Sequence, residues 1–331
     1  MINTPENLYI IGNGFDMHHK INSSYRCFRD WMEKEYPTII WDFEDAYGVC
    51  DEDWWSDFEN NLASLDVISY SQQIASENEP DLLDDHCDAM WTNAQVYVED
   101  TIRNLYDDLR GCFHKWIHQL EKTVKSQKIK LNRDNSAFLT FNYTKTLEDL
   151  YNIDKCNILH IHGCVDDEEN FIFGHGKSEK EIREENTYNN ISEDDTKNLS
   201  DDEYFELQQE MADSHPYHEQ LAEDAAIAGV ASQRKPVYDI INRNADFFNN
   251  IKSVKNIYVY GLSFSEVDLP YLEEVIKKVR HPFWEFSDYN NEIKAKIESF
   301  VKKEQISKYK IINLNEIVIL NDVATRKSSN Q

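Results

Sequence analysis

Short apolar runs and longer helical periods alternate along the chain, which indicates an α/β fold. The first run, residues 8–11, is apolar throughout and ends at Gly12, as expected for a strand covered on both faces of a sheet. Further strand-like runs lie at residues 136–142, 156–163, 171–174, 256–264, 283–289 and within 311–320. Because helical segments separate several of these runs, we expect parallel pairing in one doubly wound sheet.

The helical periods predict one large insertion into this sheet. Helices are expected at residues 24–36, in several pieces over 53–127, at 144–151, at 268–279 and at about 290–304. The first is bounded by Ser23 or Ser24 as its cap and by Pro37 as its stop. We therefore interpret residues 1–331 as a single α/β domain with a helical insertion at about residues 24–127.

A second insertion is predicted from charge. Residues 166–224 hold twenty Asp and Glu against four Lys and Arg, so a solvated loop or helical lid is expected within an acidic insertion at about residues 177–250. The whole chain has 62 acidic and 34 basic residues, a formal charge of -28. Nucleic acid is therefore not an expected partner, because a phosphate backbone is bound by Lys and Arg.

Cysteine spacing and hydropathy indicate the cellular environment. The six cysteines are scattered without a Cys-x-x-Cys pair, which favours reduced thiols over disulfides or structural zinc. No apolar run approaches the roughly 20 residues of a membrane-spanning helix, and no signal-peptide pattern is present. We expect a cytoplasmic protein with no membrane partner and no metal.

The glycine turn after the first strand is the first candidate for chemistry. Gly12 and Gly14 would let the backbone approach a phosphate, which amides at the start of the following helix could bind. Met17 stands where the dinucleotide fingerprint has its third glycine. A plain glycine turn, with Asp16 as a capping residue, is the alternative that this motif leaves open.

Two further strands end in polar residues. Asn142 lies where a strand gives way to a helix, so it either faces a ligand or caps the turn. His160 and His162 project to the same face of a strand, but no acid at a fixed spacing completes a metal site. His162 precedes Gly163 at the strand end and is either a packed histidine or a general base.

The turn after the strand at 256–264 is the fourth candidate. Gly261 and Ser263 could touch a ribose or a phosphate, and Asp268 precedes a helix. The alternative is a glycine turn in which Asp268 is the helix N-cap. The motif alone does not separate these interpretations.

In this order, G-x-G-F-D, T-x-N-Y, H-x-H-G and G-x-S with a later acid and Pro resemble the sirtuin-like superfamily. They resemble more closely the bacteriophage abortive infection AbiH family, as do WSDFE at 55–59 and HIHG followed by FGHG. The resemblance extends to about residue 289. It implies a Rossmann-like, sirtuin-like sheet that binds NAD in a protein protecting bacteria against phage.

The resemblance also implies an NAD glycohydrolase and its residues. Asn142 would place water and His162 would accept its proton during hydrolysis of NAD to nicotinamide and ADP-ribose. The expected cofactor-binding residues are Gly12, Asn13, Gly14, Phe15, Asp16, Gly261, Ser263 and Asp288. Glu59 and His175 are further pocket candidates.

The sequence departs from the sirtuin-like pattern at three points. Thr144 replaces an Asp two residues after the asparagine, and Asp16 stands where Gly-Ala-Gly-x-Ser has its serine. The four-cysteine zinc module is absent, so protein deacetylation is not expected.

Three hypotheses follow. The first is an NAD-consuming abortive-infection effector, expected to form a homo-oligomer and to work with a partner protein of a defence system. The second is a nucleotide-sensing or interaction module that binds NAD or ADP-ribose without turnover. The third and weakest is a metal-dependent nuclease that uses Asp16, Glu59 and the histidines.

Overall fold

The computed structural model describes residues 4–48, 51–77, 92–120, 128–166, 171–186, 200 and 217–317. The chain divides into two compact units. The sheet unit comprises Met1–Phe28, Phe113–Ile172 and Pro236–Gln331. The helical unit comprises Arg29–Cys112 and Phe173–Lys235. The interpretation as one interrupted domain stays a prediction.

Six strands form the sheet. They are β1 (Asn7–Ile11), β2 (Ser136–Thr140), β3 (Ile158–His160), β4 (Asn256–Tyr260), β5 (Phe283–Asp288) and β6 (Tyr309–Asn313). Their order is β3-β2-β1-β4-β5-β6, and every neighbouring pair is parallel. This is the strand order of doubly wound dinucleotide-binding sheets. The predicted α/β fold with a parallel sheet is confirmed, whereas the finer sirtuin-like assignment stays a prediction.

The described helices account for most of the described residues outside the strands. Those before β2 are α1 (Asn13–His18), α2 (Tyr25–Glu35), α3 (Pro37–Tyr47), α4 (Glu52–Ser56), α5 (Phe58–Asn61), α6 (Val67–Glu77) and α7 (Asn93–Leu120). Those after β2 are α8 (Thr146–Tyr151), α9 (Glu179–Glu185), α10 (Tyr217–Ala231), α11 (Val237–Arg243), α12 (Ala245–Asn250), α13 (Leu269–Lys278) and α14 (Asn291–Lys303). Among these helices, none combines the length and apolar content needed to cross a membrane.

Both faces of the central strand β1 are buried, which explains why residues 8–11 are apolar throughout. On β1, Leu8 and Ile10 belong to one core cluster, which also contains side chains of α11, α12, α13 and α14. Tyr9 and Ile11 belong to the opposite cluster with side chains of α1 and α8. Successive strand residues point to opposite faces, so a strand between two helical layers needs apolar residues at every position.

Local signals marked several boundaries correctly. The Ser24 hydroxyl accepts a hydrogen bond from the Cys27 amide at 3.2 Å, so the predicted cap of α2 is confirmed. Pro37 ends that helix as predicted and is also the first residue of α3, where its missing N–H costs nothing. The strand predicted at 256–264 ends at Tyr260, because Gly261 turns the chain with a φ of 68°.

The strand predicted at 171–174 is wrong. This segment has no strand, and only His175 forms an isolated parallel bridge with Arg234. The Ile172 amide donates to the carbonyl of His162 at 3.0 Å, so the segment binds a loop rather than a neighbouring strand. An apolar run is necessary for a buried strand but does not supply its partner.

The described part of the helical unit is built from helices. Helix α10 packs against α6 and α9. In the acidic section, α9 begins with a capping box between Ser178 and Glu181. Residues 187–199 and 201–216 of that section lie outside the described residues.

Candidate functional site

The loops after β1 and β4 meet at their glycines. The Gly12 amide donates to the Tyr260 carbonyl at 2.9 Å, and the Gly14 amide donates to the Gly261 carbonyl at 2.8 Å. A Cβ on Gly12 would lie 2.6 Å from the Gly261 carbonyl oxygen, and one on Gly261 would lie 2.1 Å from the Phe15 nitrogen. Close approach of the two loops therefore requires these glycines. Because both amides are engaged, their role toward a phosphate stays a prediction.

Asn13 and Phe15 make internal contacts in the same turn. Asn13 donates to the Ser23 carbonyl at 2.8 Å and accepts from the Ser23 hydroxyl. The carbonyl of Phe15 lies 2.7 Å from Nδ1 of His19, whose Nε2 lies 2.6 Å from the Tyr151 hydroxyl. Burial lowers the pKa of His19 to about 4. A neutral His19 donates from Nδ1 and accepts at Nε2, so it fastens α1 to α8.

A buried polar cluster lies just after β1 and β2. It consists of Asp16, Asn142, Thr144 and Thr146, all of them buried. The Thr144 hydroxyl donates to Oδ2 of Asp16 and lies 3.1 Å from the Thr146 hydroxyl. Burial raises the pKa of Asp16 to about 6, although both hydroxyls and the Asn142 amide favour its ionised form.

Several polar atoms at this cluster have no hydrogen-bond partner among the described residues. They are Oδ1 of Asp16, Oδ1 and Nδ2 of Asn142, and Oε2 of Glu148, all shielded from solvent. The Asn142 amide is near enough to Asp16 to favour its ionisation but lacks the geometry of a hydrogen bond. Leaving a buried polar group unpaired costs about 1–3 kcal/mol. Three of the four atoms are acceptors, so a ligand with donor groups fits them best.

Histidine 160 joins this cluster through its two ring nitrogens. Nδ1 lies 3.0 Å from the main-chain carbonyl of Asn142. Nε2 lies 3.0 Å from Oε1 of Glu148, a residue of α8. The sequence pattern singled out His162 of this strand end and left the partners of His160 undetermined.

The other histidine of the pair has a different environment. His162 is 2 % exposed, and its Nε2 lies 3.6 Å from Oδ1 of Asp268, a distance longer than a hydrogen bond. The rings of Phe141 and Tyr271 lie 5.3 Å and 5.7 Å from its ring. Asp268 holds the N-cap position of α13, as the alternative interpretation predicted, but its side chain makes no capping bond. Its carboxylate faces His162 instead.

Main-chain hydrogen bonds hold the loops after β2 and β3 side by side. The Ile161 amide donates to the Thr140 carbonyl at 3.0 Å, and the Val165 amide donates to the Tyr143 carbonyl at 2.9 Å. Asn142 lies on the first loop and His162 on the second. The two residues predicted to be catalytic are therefore on adjacent loops, one facing Asp16 and the other facing the α13 cap.

The residues predicted for the adenosine side lie after β4 and β5. The Gly261 amide donates to the Ser287 hydroxyl at 2.9 Å, which ties the β4 turn to the end of β5. Asp288 is the last residue of β5 and is partly exposed, and Ser263 is exposed. The structure thus brings the ends of β4 and β5 together, while contact of Ser263 and Asp288 with a nucleotide stays a prediction.

The two further pocket candidates lie in the helical unit, where both contact Lys235. Nζ of Lys235, whose side chain is 0 % exposed, lies 2.8 Å from Oε2 of Glu59. The Lys235 amide donates to the His175 carbonyl at 2.9 Å. Nε2 of His175 lies 2.9 Å from the Val230 carbonyl, and burial lowers the pKa of His175. Glu59 and His175 therefore belong to one buried cluster centred on a lysine.

Several residues of these clusters were missed by the sequence interpretation. The segment after Asn142 carries polar residues at every second position, including Thr146 and Glu148. This alternation could have indicated that both face the same site. Lys235 follows polar residues and carried no comparable signal. Within the part of the chain that the structure describes, no three His, Cys, Asp or Glu side chains are placed to hold one metal ion.

Comparison with known proteins gives a single positive result. No curated protein and no solved structure matched the chain. The family described as bacteriophage abortive infection AbiH matches residues 8–289, a range that includes the polar cluster, His162, Asp268 and the Lys235 cluster. Since this match covers most of the 331 residues, the chain belongs to the AbiH family of phage abortive-infection defence proteins.

Proposed function

We propose that this AbiH protein binds NAD at the polar cluster and hydrolyses it to nicotinamide and ADP-ribose. The observation that carries the proposal is the set of buried acceptor oxygens on Asp16, Asn142 and Glu148 that lack partners among the described residues. They lie beyond the carboxyl ends of β1 and β2, at the edge where open parallel sheets bind ligands. Ribose hydroxyls are hydrogen-bond donors and therefore complement these oxygens, whereas a phosphate does not.

The chemistry assigns a separate role to each group. Water oxygen bonds to the ribose C1′ while the bond from C1′ to the nicotinamide nitrogen breaks, and nicotinamide leaves with that electron pair. The sugar passes through an oxocarbenium-like state, whose positive charge an ionised Asp16 stabilises. Asn142 orients the ribose and the water, and His162 accepts the water proton. The carboxylate of Asp268 lies 3.6 Å from Nε2 of His162 and orients its ring.

The departures at positions 16 and 144 support this proposal when they are taken together. The sirtuin-like pattern has a serine where this chain has Asp16 and an aspartate where it has Thr144. The two side chains are hydrogen-bonded to each other here. The cluster therefore keeps one carboxylate and one hydroxyl, with the two exchanged between the loops.

Burial of the cluster adds a condition to the reaction. Asp16 is 1 % exposed and Asn142 is 6 % exposed, so NAD reaches them only when covering side chains move. We propose that these side chains open transiently in the isolated protein and that phage infection makes the opening more frequent. The second hypothesis, a module that binds NAD or ADP-ribose without turnover, uses the same acceptor oxygens and is favoured by the engaged amides of Gly12 and Gly14.

The test is a direct assay of NAD turnover. Purified protein is incubated with NAD, and nicotinamide and ADP-ribose are separated by chromatography. The Asn142→Ala and His162→Ala variants are run beside Asn315→Ala and His281→Ala, two exposed positions of the same residue types in the sheet unit. We expect turnover by the wild type and both controls, and its loss in the two site variants.

A parallel assay measures NAD in cells that produce the protein, before and after phage challenge, to supply the natural trigger. Retention of NAD or ADP-ribose without turnover in both assays would establish the sensing module. Absence of both binding and turnover would refute the proposal. The nuclease alternative is tested by adding RNA, DNA and Mg²⁺ to the same samples, although the Glu59 that it requires is paired with Lys235.

A further inference from the structure

Both ring nitrogens of His160 face oxygen atoms, one of a main-chain carbonyl and one of the Glu148 carboxyl group. Nδ1 lies 3.0 Å from a main-chain carbonyl oxygen, that of Asn142. Nε2 lies 3.0 Å from a carboxylate oxygen of Glu148. When Glu148 is a carboxylate, a neutral imidazole with its one N–H can make only one of these bonds, whereas an imidazolium makes both.

Little water can reach His160 to replace its hydrogen bonds to Asn142 and Glu148. The side chains of His160 and Glu148 are 11 % and 10 % exposed. Oε2 of Glu148 has no partner among the described residues, so the carboxylate depends on His160 for compensation of its charge. A buried carboxylate with a single hydrogen-bonded oxygen is stabilised most by a positively charged donor.

Charged and titratable groups face His160 from each neighbouring element. Asp16 of α1 interacts with it electrostatically, and a charge on His160 lowers the pKa of Asp16. Glu148 contacts it from α8. Cys164, in the loop after β3, lies near Glu148, and burial raises the pKa of that thiol, which keeps it neutral. Two carboxylates therefore surround one histidine.

We propose that His160 is an imidazolium clamped between Asn142 and Glu148, and that it is a positioning residue of the polar cluster. Its Nδ1–H holds the main chain of Asn142, and its charge lies beside Asp16. The inference deepens the proposed function, because it identifies what orients the ribose-binding side chains. The charge of His160, however, is present whether or not NAD is bound.

The first test is the protonation of the ring, read by NMR of protein with ¹⁵N-labelled histidine. The His160 signals are assigned through its own main-chain resonances, so the wild-type measurement needs no variant. We expect both ring nitrogens to be protonated at pH 7. One unprotonated ring nitrogen at that pH would overturn the proposal.

Glu148→Gln tests the source of the charge. The amide can donate to Nε2, so we expect His160 to lose one proton in this variant at pH 7. Asp149→Asn removes the same charge from the next, exposed residue of α8 and should leave His160 doubly protonated. An unchanged His160 in Glu148→Gln would contradict the clamp.

Binding of ADP-ribose, measured by calorimetry between pH 6 and 8, links the clamp to the site. We expect Glu148→Gln to weaken binding about tenfold, which corresponds to the loss of roughly one hydrogen bond, and Asp149→Asn to leave it unchanged. Equal affinity in wild type and Glu148→Gln would overturn the positioning role. If ADP-ribose binds to no form of the protein, the proposed function fails, whereas the NMR measurement still decides the charge of His160.

Discussion

The hydroxyl of Thr144 donates a hydrogen bond to the carboxylate of Asp16, although 128 positions separate the two residues. This contact joins the loop after β1 to the loop after β2 at the edge of the sheet. Asp16 is shielded from water, so its ionised form depends on the few donors around it. The stability of the protein and its dependence on pH should therefore report on the polar cluster even when no ligand is bound.

Removal of the Thr144 hydroxyl should destabilise the protein. Thr144→Val keeps the shape of the side chain but leaves Oδ2 of Asp16 without this donor. We expect the free energy of unfolding to fall by about 1–3 kcal/mol at pH 7, measured in urea. The control Thr101→Val, at an exposed position of α7, should change it by no more than about 0.5 kcal/mol. Equal stability of the two variants would contradict the contact.

Burial of Asp16 predicts a pH dependence of stability. Its folded pKa is raised from 3.8 to about 6, so the folded protein holds this proton more tightly than the unfolded chain does. The resulting stability is present below about pH 4 and is lost as the pH rises through about 6, at up to about 1.4 kcal/mol per pH unit. Relative to Asp16→Asn, the wild type should therefore lose stability over this range and level off above it. A stability difference between the wild type and Asp16→Asn that stays constant from pH 4 to 7 would contradict the prediction.

The exchange of carboxylate and hydroxyl predicts a compensating pair of substitutions. Asp16→Ser and Thr144→Asp should each abolish phage protection in a plaque assay, because one removes the carboxylate and the other places two carboxylates together. The double variant restores one of each and should recover protection. A double-mutant cycle on unfolding should show coupling of about 0.5–3 kcal/mol. Strictly additive losses would show that the two positions act independently.

The contact between the β1 and β4 loops predicts intolerance at Gly261. Its φ of 68° strains any other residue, and a new Cβ would collide with the Phe15 nitrogen. Gly261→Ala should cost more than about 2 kcal/mol of unfolding free energy. Gly111→Ala is the matched control, since open space surrounds that position in α7, and it should stabilise the helix by up to about 1 kcal/mol. Similar effects at both glycines would refute the required close approach.

The buried ion pair between Lys235 and Glu59 predicts a large loss of stability when the lysine is replaced, and a second substitution should recover part of it. Lys235→Met leaves the Glu59 carboxylate with no cation at 2.8 Å and should cost about 3–5 kcal/mol. Adding Glu59→Gln should recover part of that loss, because the remaining charge is removed. Lys180→Met, in an exposed pair with Glu184, should cost no more than about 1 kcal/mol. Thermal unfolding distinguishes these outcomes, and a Lys235→Met protein as stable as Lys180→Met would contradict the role of burial.

Much of the sheet was predictable because its signals are local. The apolar run at 8–11, the cap at Ser24 and the Pro37 boundary each depend on a few neighbouring residues, and all three agree with the structure. The predicted strands that carried Asn142 and His162 are present as β2 and β3, but each ends two residues earlier, so both residues lie on the loops that follow. Their catalytic roles stay predictions.

The failures arose where a local pattern has more than one tertiary outcome. The apolar run at 171–174 has strand composition, but its hydrogen bonds go to loops. Asp268 occupies a helix cap, but its carboxylate faces a histidine of another strand end. In each case the position followed from nearby residues, whereas the partner came from a distant part of the chain.

By itself, the sequence determined the parallel α/β architecture, the large helical content and the order of the four motifs, since periodicity, capping and glycine turns are properties of adjacent residues. Only the tertiary structure decided that Thr144 bonds Asp16, that Glu148 holds His160 and that Lys235 pairs with Glu59 across 176 positions. The physical reason is that a buried polar group must find its partner in space, and the path of the whole chain sets which groups are close.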